Sequence, residues 1–409
     1  MTKQIRWIQI GLFLTSAGTW AQNFAVAWLV YRLYDSAFLL GVVACLNQLP
    51  TLLVGRYVGR CVDSHLSKKF ILVIQLLLVA QCLLLIVVAR SSLSVEALVM
   101  LCLLQGFLFA FEMPAIQTFI ANMVKDPQAQ GHVATWNSLA VNAGRFVGPA
   151  FAGWLVSQFD EVACFVFNAA SHLPIIIALV LVRNWVHSAP ADESFTSHSD
   201  TGKAVSRHIL GNGALREPLI VAAAMFALTM PFLSYIPAIT VLQLDGKAGV
   251  YSSMAVATGI GAAIAAIFAA RLKGFKLVPR IVPIAAITGG LVLAMATLST
   301  NTYLSGLLFA VLGFCMNLTG TLTNAWLIQS APEKWRGSVI SRYNMVSALY
   351  PVGSIAVGLI ALRFSVMHAL LVTGILCAVL VLVRRFFLTS GQWTFAEEQH
   401  DAIRTAQTN

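Results

Sequence analysis

Twelve long apolar runs follow one another between Trp7 and Leu388, near residues 7–33, 38–58, 70–89, 97–119, 134–158, 162–182, 218–241, 250–270, 279–299, 302–326, 338–362 and 366–388. Most are long enough to cross a bilayer core, which takes about 20 residues. This repetition leaves few folds open. In hydrocarbon every backbone polar group must find its partner inside the protein, so spans of this length are helices. Only 10% of the residues are charged and 58% are hydrophobic, too little charged surface for a soluble fold of this size. The expected fold class is an all-α membrane protein with twelve transmembrane helices. The first run is too long for the apolar part of a signal peptide and has no small-residue cleavage site, so it is expected to stay as the first span.

The longest polar stretch, Asn184 to Glu217, divides the spans six and six. The expected organisation is an N-terminal six-helix bundle (1–183), a cytoplasmic linker (184–217), a C-terminal six-helix bundle (218–388) and a cytoplasmic tail (389–409). The basic residues orient it. With both termini in the cytoplasm, Arg32, Arg90, Lys247 and Arg363 alone fall on the far side, Arg145 falls inside the membrane, and the rest of the 26 lysines and arginines are cytoplasmic. The net charge of +10 is thus a topology signal, and no nucleic-acid partner is expected. The halves also echo each other. Span five opens with GHVATWNSLA after VKDPQAQ, and span eleven with GSVISRYNMV after APEKWR. Parallel six-span repeats are a transporter plan whose substrate site lies between the halves near mid-membrane. The seven cysteines form no CxxC pair and read as small membrane hydrophobes. No nucleotide-binding, hydrolase or metalloprotease motif is present. An enzyme, a cofactor and a metal site are not expected.

Span five carries the sharpest anomaly, Arg145. Trp136 and Trp154 lie 18 residues apart, five turns and about 27 Å of rise, which nearly matches a hydrocarbon core of about 30 Å. Trp favours both interfaces, so this face is read as lipid-facing, with Leu139, Ala140, Ala143, Val147 and Ala150 between the two indoles. Arg145 is nine residues from each and points away from them. A midplane arginine costs at least about 2.5–3.5 kcal/mol and persists only against protein or water. Two readings are open: a structural ion pair, or a contact for an anionic ligand or proton relay, with Asn142 beside it. Gly144, Gly148 and Pro149 allow close helix approach and bending around it.

Glu112 in span four is the one acid deep in a span. It is read either as a coupling proton carrier paired with Arg145 or as a permanently paired structural group. Three polar stripes occur at helical spacing. Span one has Thr15, Ser16, Thr19, Gln22 and Asn23; span ten has Asn317, Gly320, Thr321 and Asn324; span eleven has Tyr343, Ser347, Tyr350 and Ser354. Helix–helix hydrogen bonding and a wet central cavity both explain such stripes, and three in one chain favour the cavity. Candidate substrate contacts are therefore Arg145, Asn142, Gln22, Asn23, Asn317, Thr321 and Asn324. Pro231 and Pro237 mark a bend in span seven.

Two segments resemble a known family. GRCVDSHLSKKFIL, after span two, resembles the cytoplasmic signature of the major facilitator superfamily through Gly59, Asp63, Lys68 and Lys69, with Ser64 and Leu66 in place of the usual arginine and glycine. Span five resembles that family's antiporter signature, GxxxGPxxGG, through Gly144, Gly148, Pro149 and Gly153. SAGTWAQNFAVAWLVYRLYDSAFLLGVVACLNQLP, MPAIQTFIANMV, NAGRFVGPAFAG and RGSVISRYNMVSALYPVGS resemble the bacterial enterobactin-exporter-like branch. The resemblance implies two pseudo-symmetric halves and a monomeric secondary active exporter in the bacterial inner membrane. It would work by proton antiport and alternating access on a small anionic metabolite, a siderophore. Its partners would be that substrate, protons and the bilayer. Multidrug efflux is the alternative, and import of an organic anion a further rival. The resemblance also implies gating by a latch between the halves at Asp63 and by the glycines and Pro149 of span five; Arg342, which falls at the same cytoplasmic boundary, is the expected partner of Asp63.

Overall fold

The computed structural model describes residues 3–65, 67–91, 94–124, 127–181, 207–209, 211–244, 246, 248–272, 277–332 and 335–388. Residues 184–206 of the expected linker and the whole expected tail lie outside them. Every long element among the described residues is helical, and none is a strand. We number the helices by span: α1 Lys3–Tyr34, α2 Ala37–His65, α3 Lys68–Arg90, α4 Val95–Asn122, α5 Pro127–Gln158, α6 Glu161–Leu181, α7 Gly213–Leu244, α8 Ala248–Arg271, α9 Val278–Ala296, α10 Thr302–Ser330, α11 Arg336–Ser347 continuing as Leu349–Ala361, and α12 Val366–Leu388. A helical segment stands at each of the twelve expected positions. Among the described residues, nine helices are long and apolar enough to cross a membrane.

Local chemistry sets several starts. Ser67 caps α3 by accepting from the Phe70 amide, Asp160 caps α6 by accepting from Ala163, and Asn301 caps α10 by accepting from Tyr303 and Leu304. Prolines set the interruptions. A proline has no N–H and crowds the carbonyl four residues back. α6 breaks at His172, two residues before Pro174; α7 winds into a π-turn over Met225–Thr229 ahead of Pro231; α11 breaks at Ala348, three residues before Pro351. The bend in span seven thus lies at Pro231, while Pro237 sits inside a continuous helix. Ion pairs close the ends. Arg32 reaches the buried Glu161 at 3.2 Å, and Arg384 forks onto Glu217 at 2.8 and 3.1 Å, with Arg216 alongside.

The chain forms two compact units. One comprises 1–193 with 234–259, and the other comprises 194–233 with 260–409. In the first, Ile8, Leu12, Ile71, Ile116, Phe119 and Ile175 pack as a continuous apolar core. The tip hairpin of α7 and α8 belongs to this unit. Tyr251 of α8 stacks on Phe24 at 3.8 Å and Trp28 at 5.1 Å, and its hydroxyl donates to the Phe24 carbonyl at 3.2 Å. Gly153 of α5 abuts Ser252, with no room for a Cβ. In the second unit, Val282, Leu318, Leu322, Trp326, Cys377 and Val381 form the core. There Gly290 and Gly374 bring α9 and α12 into backbone contact, since a Cβ on either would lie 2.5–2.6 Å from the other's carbonyl oxygen. Gly353 rests on the Ala227 carbonyl, the one deprived of its helical partner by Pro231. The six cysteines with described side chains are buried and free.

Candidate substrate and proton site

The first unit is built around the crossing of α1 and α5. Gly144 and Gly148 press against Ser16, Ala17, Trp20 and Ala21; a Cβ at Gly144 would lie 2.6 Å from the Ser16 Cβ, and one at Gly148 2.8 Å from the Trp20 Cβ. Ser16 ties the crossing by donating to the Val141 carbonyl at 2.9 Å. Pro149 lies within α5 and withholds an N–H from the Arg145 carbonyl. The small residues of span five therefore set a backbone-to-backbone contact.

That contact fixes Arg145. Its guanidinium carbon lies 4.6 Å from the centre of the Trp20 ring, and the side chain is exposed. Stacking on an indole is worth about 0.5–1 kcal/mol at an exposed site and more where water is scarce. It also holds the planar fork in one orientation. Trp136 and Trp154 are 46% and 52% exposed, as expected of the two belt residues that bracket the arginine. Asn142 lies in α5, with its side chain outside the described residues.

The polar stripe of α1 divides. Asn23, half-buried, accepts from Gln105 of α4 at 3.1 Å. Gln22 does not face an open cavity. It is fully buried, donates to Gln81 at 3.1 Å and accepts from Asn168 at 2.9 Å and from the Cys82 thiol at 3.2 Å. Thr15 is spent on the Gly11 and Leu12 carbonyls of its own helix. The cause is angular. At 100° per residue, Gln22 and Asn23 point about 100° apart, one into the helix-packing interior and one toward α4.

Glu112 is buried at the meeting of α3, α4 and α6. It accepts from Gln75 Nε2 at 2.9 Å and lies 4.0 Å from His172 Nδ1, which is 2.6 Å from Gln75 Oε1. Its polar partners are thus Gln75 and His172, in place of the arginine expected from the sequence. His172 is fully buried at the break of α6, and its Nε2 has no partner among the described residues. Glutamate, amide and imidazole form one hydrogen-bonded line, in which the neutral amide orients the two ionisable groups at its ends. Neither His172 nor Gln75 was expected. The signal for His172 was present, as an ionisable residue in mid-span two residues before a proline.

In the second unit Thr321 of α10 is exposed and donates to Asn317 Oδ1 at 3.2 Å. Asn324, half-buried, has an Oδ1 sealed from solvent without a partner among the described residues. Tyr343 of α11 donates to the Gly320 carbonyl at 3.1 Å and meets Phe226 of α7 edge-on. Span ten thus carries a polar face partly open to ligand. Arg342 is half-buried on α11, and the side chain of Asp63 lies outside the described residues. Among the described residues, no group of three or more His, Cys, Asp or Glu could hold a metal ion.

Comparison with known proteins agrees with this architecture. The chain matches the family described as transmembrane secretion effector over residues 1–402. It is 20% identical over 391 residues to a staphyloferrin A transporter of Staphylococcus aureus (strain NCTC 8325 / PS 47), covering 95% of this chain and 97% of the relative. It is 22% identical over 357 residues to macrolide efflux protein A of Streptococcus pyogenes, covering 85% and 87%. Its fold is that of the crystal structure of the nucleoside transporter NupG, with a TM-score of 0.70 at 14% identity over 93% of this chain and 98% of that one.

Proposed function

This chain belongs to the transmembrane secretion effector family of the major facilitator superfamily, and on that premise we propose that it exports a small anionic metabolite, a siderophore, by proton antiport. A multi-pass membrane transporter needs a contact that recognises its cargo and a group that carries the driving ion. Arg145 is the first. One observation carries the reading above all others: midway along a span, the guanidinium of an exposed arginine lies on Trp20. A fixed planar cation suits a carboxylate, because it keeps its charge under cellular conditions and offers two parallel donors. Asn23, in the same unit, would supply a neutral hydrogen bond, and Asn317, Thr321 and Asn324 give the second unit a polar face of its own for cargo. Glu112 is the second, as the proton carrier, with Gln75 and His172 at its side. The substrate class is supported by the relative that transports staphyloferrin A, and the outward direction by the glycine–proline pattern of α5. The likeness to macrolide efflux protein A favours a second reading, general drug efflux, which would tolerate uncharged or cationic cargo.

The test is binding of carboxylate siderophores to purified Arg145→Lys protein, with thermal stability measured alongside. Lysine keeps the charge but loses the fork and most of the stack, so affinity should fall about tenfold, equivalent to about 1.4 kcal/mol, with unfolding temperature little changed. Normal affinity with a large loss of stability would make the arginine structural. Equal affinity of the native protein for macrolides would favour drug efflux. Orientation has its own test. Reporter fusions after Asn184 and after Asn409 should both report the cytoplasm, and a periplasmic signal at either would overturn the proposed bacterial inner-membrane topology.

A further inference from the structure

On the opposite face of α5 from Arg145, a groove of about 410 Å³ runs between α1 and α5, bounded by Arg6, Ile10, Phe13, Trp136, Ala140 and Ala143. On a wheel of 100° per residue, its three α5 residues point about 140–180° away from Arg145, so it is separate from the proposed substrate contact. Its floor is the hydrogen bond from Gln9 Nε2 to Asn137 Oδ1, 3.3 Å long and buried. That bond ties the two amides to each other, and the other lining residues between Arg6 and the deep end are apolar. At the deep end the helices close where Gly144 meets Ser16 and Ala17. Along either helix the groove extends seven residues, about 10 Å, or roughly two thirds of the hydrocarbon depth of one leaflet. At the mouth stand Trp136, 46% exposed, and Arg6, exposed and without an ion pair among the described residues. Trp7, next to Arg6, is 62% exposed, which sets this end at the interface where indoles gather.

We propose that this groove binds one anionic phospholipid, with its phosphate on Arg6 and the upper part of one acyl chain between α1 and α5. The observations that select this occupant are the depth, which suits an acyl chain entering from the interface; the apolar walls; and the charge at the mouth. Arginine pairs with phosphate through its fork, and the described lining has no acid to hold the ammonium of a zwitterionic headgroup. Ala140 and Ala143 leave the space, and Trp136 covers its entrance. The inference is independent of the cargo and of the direction of transport.

Native mass spectrometry of the purified full chain, titrated with phosphatidylglycerol or with phosphatidylcholine of the same chains, reads both lipid and oligomer. One phosphatidylglycerol should be retained per chain, about tenfold more tightly than phosphatidylcholine. Arg6→Gln should make the two lipids equal, and Arg6→Lys should keep part of the preference. Ala143→Phe, which fills the groove, should lower retention of phosphatidylglycerol at least about tenfold, and Ala140→Leu should do so more mildly. Val147→Phe, on the same open face of α5 but beyond the groove, should change nothing. Melting curves of each variant distinguish lost lipid from lost fold, and a poorly folded Ala143→Phe leaves Ala140→Leu to decide. Equal retention of both lipids by the native chain would overturn the proposal. So would unchanged retention in the well-folded filled variants, a lipid-free dimer occluding the groove, or equal stabilisation by inorganic phosphate alone.

Discussion

Gly148→Leu is expected to remove the protein from the membrane fraction almost entirely. A side chain at this position enters the backbone of α1. Its Cβ would meet the Ala17 carbonyl, the Trp20 Cβ at 2.8 Å and the Ala21 amide nitrogen at 3.1 Å. None of these is the far end of a flexible side chain, so the helices must separate. Overpacking a core typically costs about 1–3 kcal/mol, and forcing two helices apart lies at or above that upper end, within a total stability of only about 5–15 kcal/mol. Separation also costs the Ser16–Val141 hydrogen bond and draws Trp20 away from Arg145. Gly148→Ala should fall between, with a lowered melting temperature and some protein recovered. Val147→Leu, one residue away on a face 46% exposed, should accumulate normally. Fluorescence-detected size exclusion of tagged variants measures all three. Normal recovery of Gly148→Leu would mean that α1 and α5 do not depend on this contact.

Glu112→Gln should abolish export driven by an imposed pH gradient while leaving the protein folded. The substitution nearly preserves shape, and the new amide oxygen can still accept from Gln75 Nε2, which lies 2.9 Å from the carboxylate it replaces. What disappears is the exchangeable proton. In one-for-one antiport, each pH unit across the membrane is worth about 1.4 kcal/mol and supports about a tenfold concentration ratio of cargo. Vesicles bearing Glu112→Gln should therefore accumulate no cargo against a gradient, yet still equilibrate it downhill. Full accumulation would move the coupling group elsewhere. His172→Gln, which removes the imidazole from the same hydrogen-bonded line, should slow coupled transport without ending it if the histidine assists the proton's passage.

The spans were legible because hydrophobic length in a membrane is nearly a one-dimensional code. The exposed face of α5 was legible from the spacing of two tryptophans five turns apart, both of which are exposed. The neighbours of each polar group were not. A helical wheel gives direction around one axis but not which helix lies there, so Gln22 and Asn23 shared a stripe and ended in different environments. Glu112 and Arg145 were matched on charge alone, whereas the carboxylate is met by a neutral amide and a histidine. Trp20 was passed over because an aromatic in an apolar span normally reads as packing. Its role appears only when Gly144 and Gly148 bring α5 close enough for the arginine to lie on it. The breaks in α6 and α11 follow from prolines the sequence displays, but their positions depend on which carbonyls find other partners.

The hairpin of residues 234–259 has a consequence for how the chain is made. It is synthesised after the long polar stretch, yet it packs with the first six helices through Tyr251 on Phe24 and Trp28 and through Ser252 on Gly153. The ribosome therefore delivers the first unit in two instalments, and the aromatic seat on α1 must wait through the synthesis of about two hundred further residues. Until Tyr251 arrives, Phe24 and Trp28 lack the ring that stacks on them, and Gly153 lacks its serine. The first unit is complete only once residues 234–259 have been made, and a nascent chain stalled before them holds it unfinished.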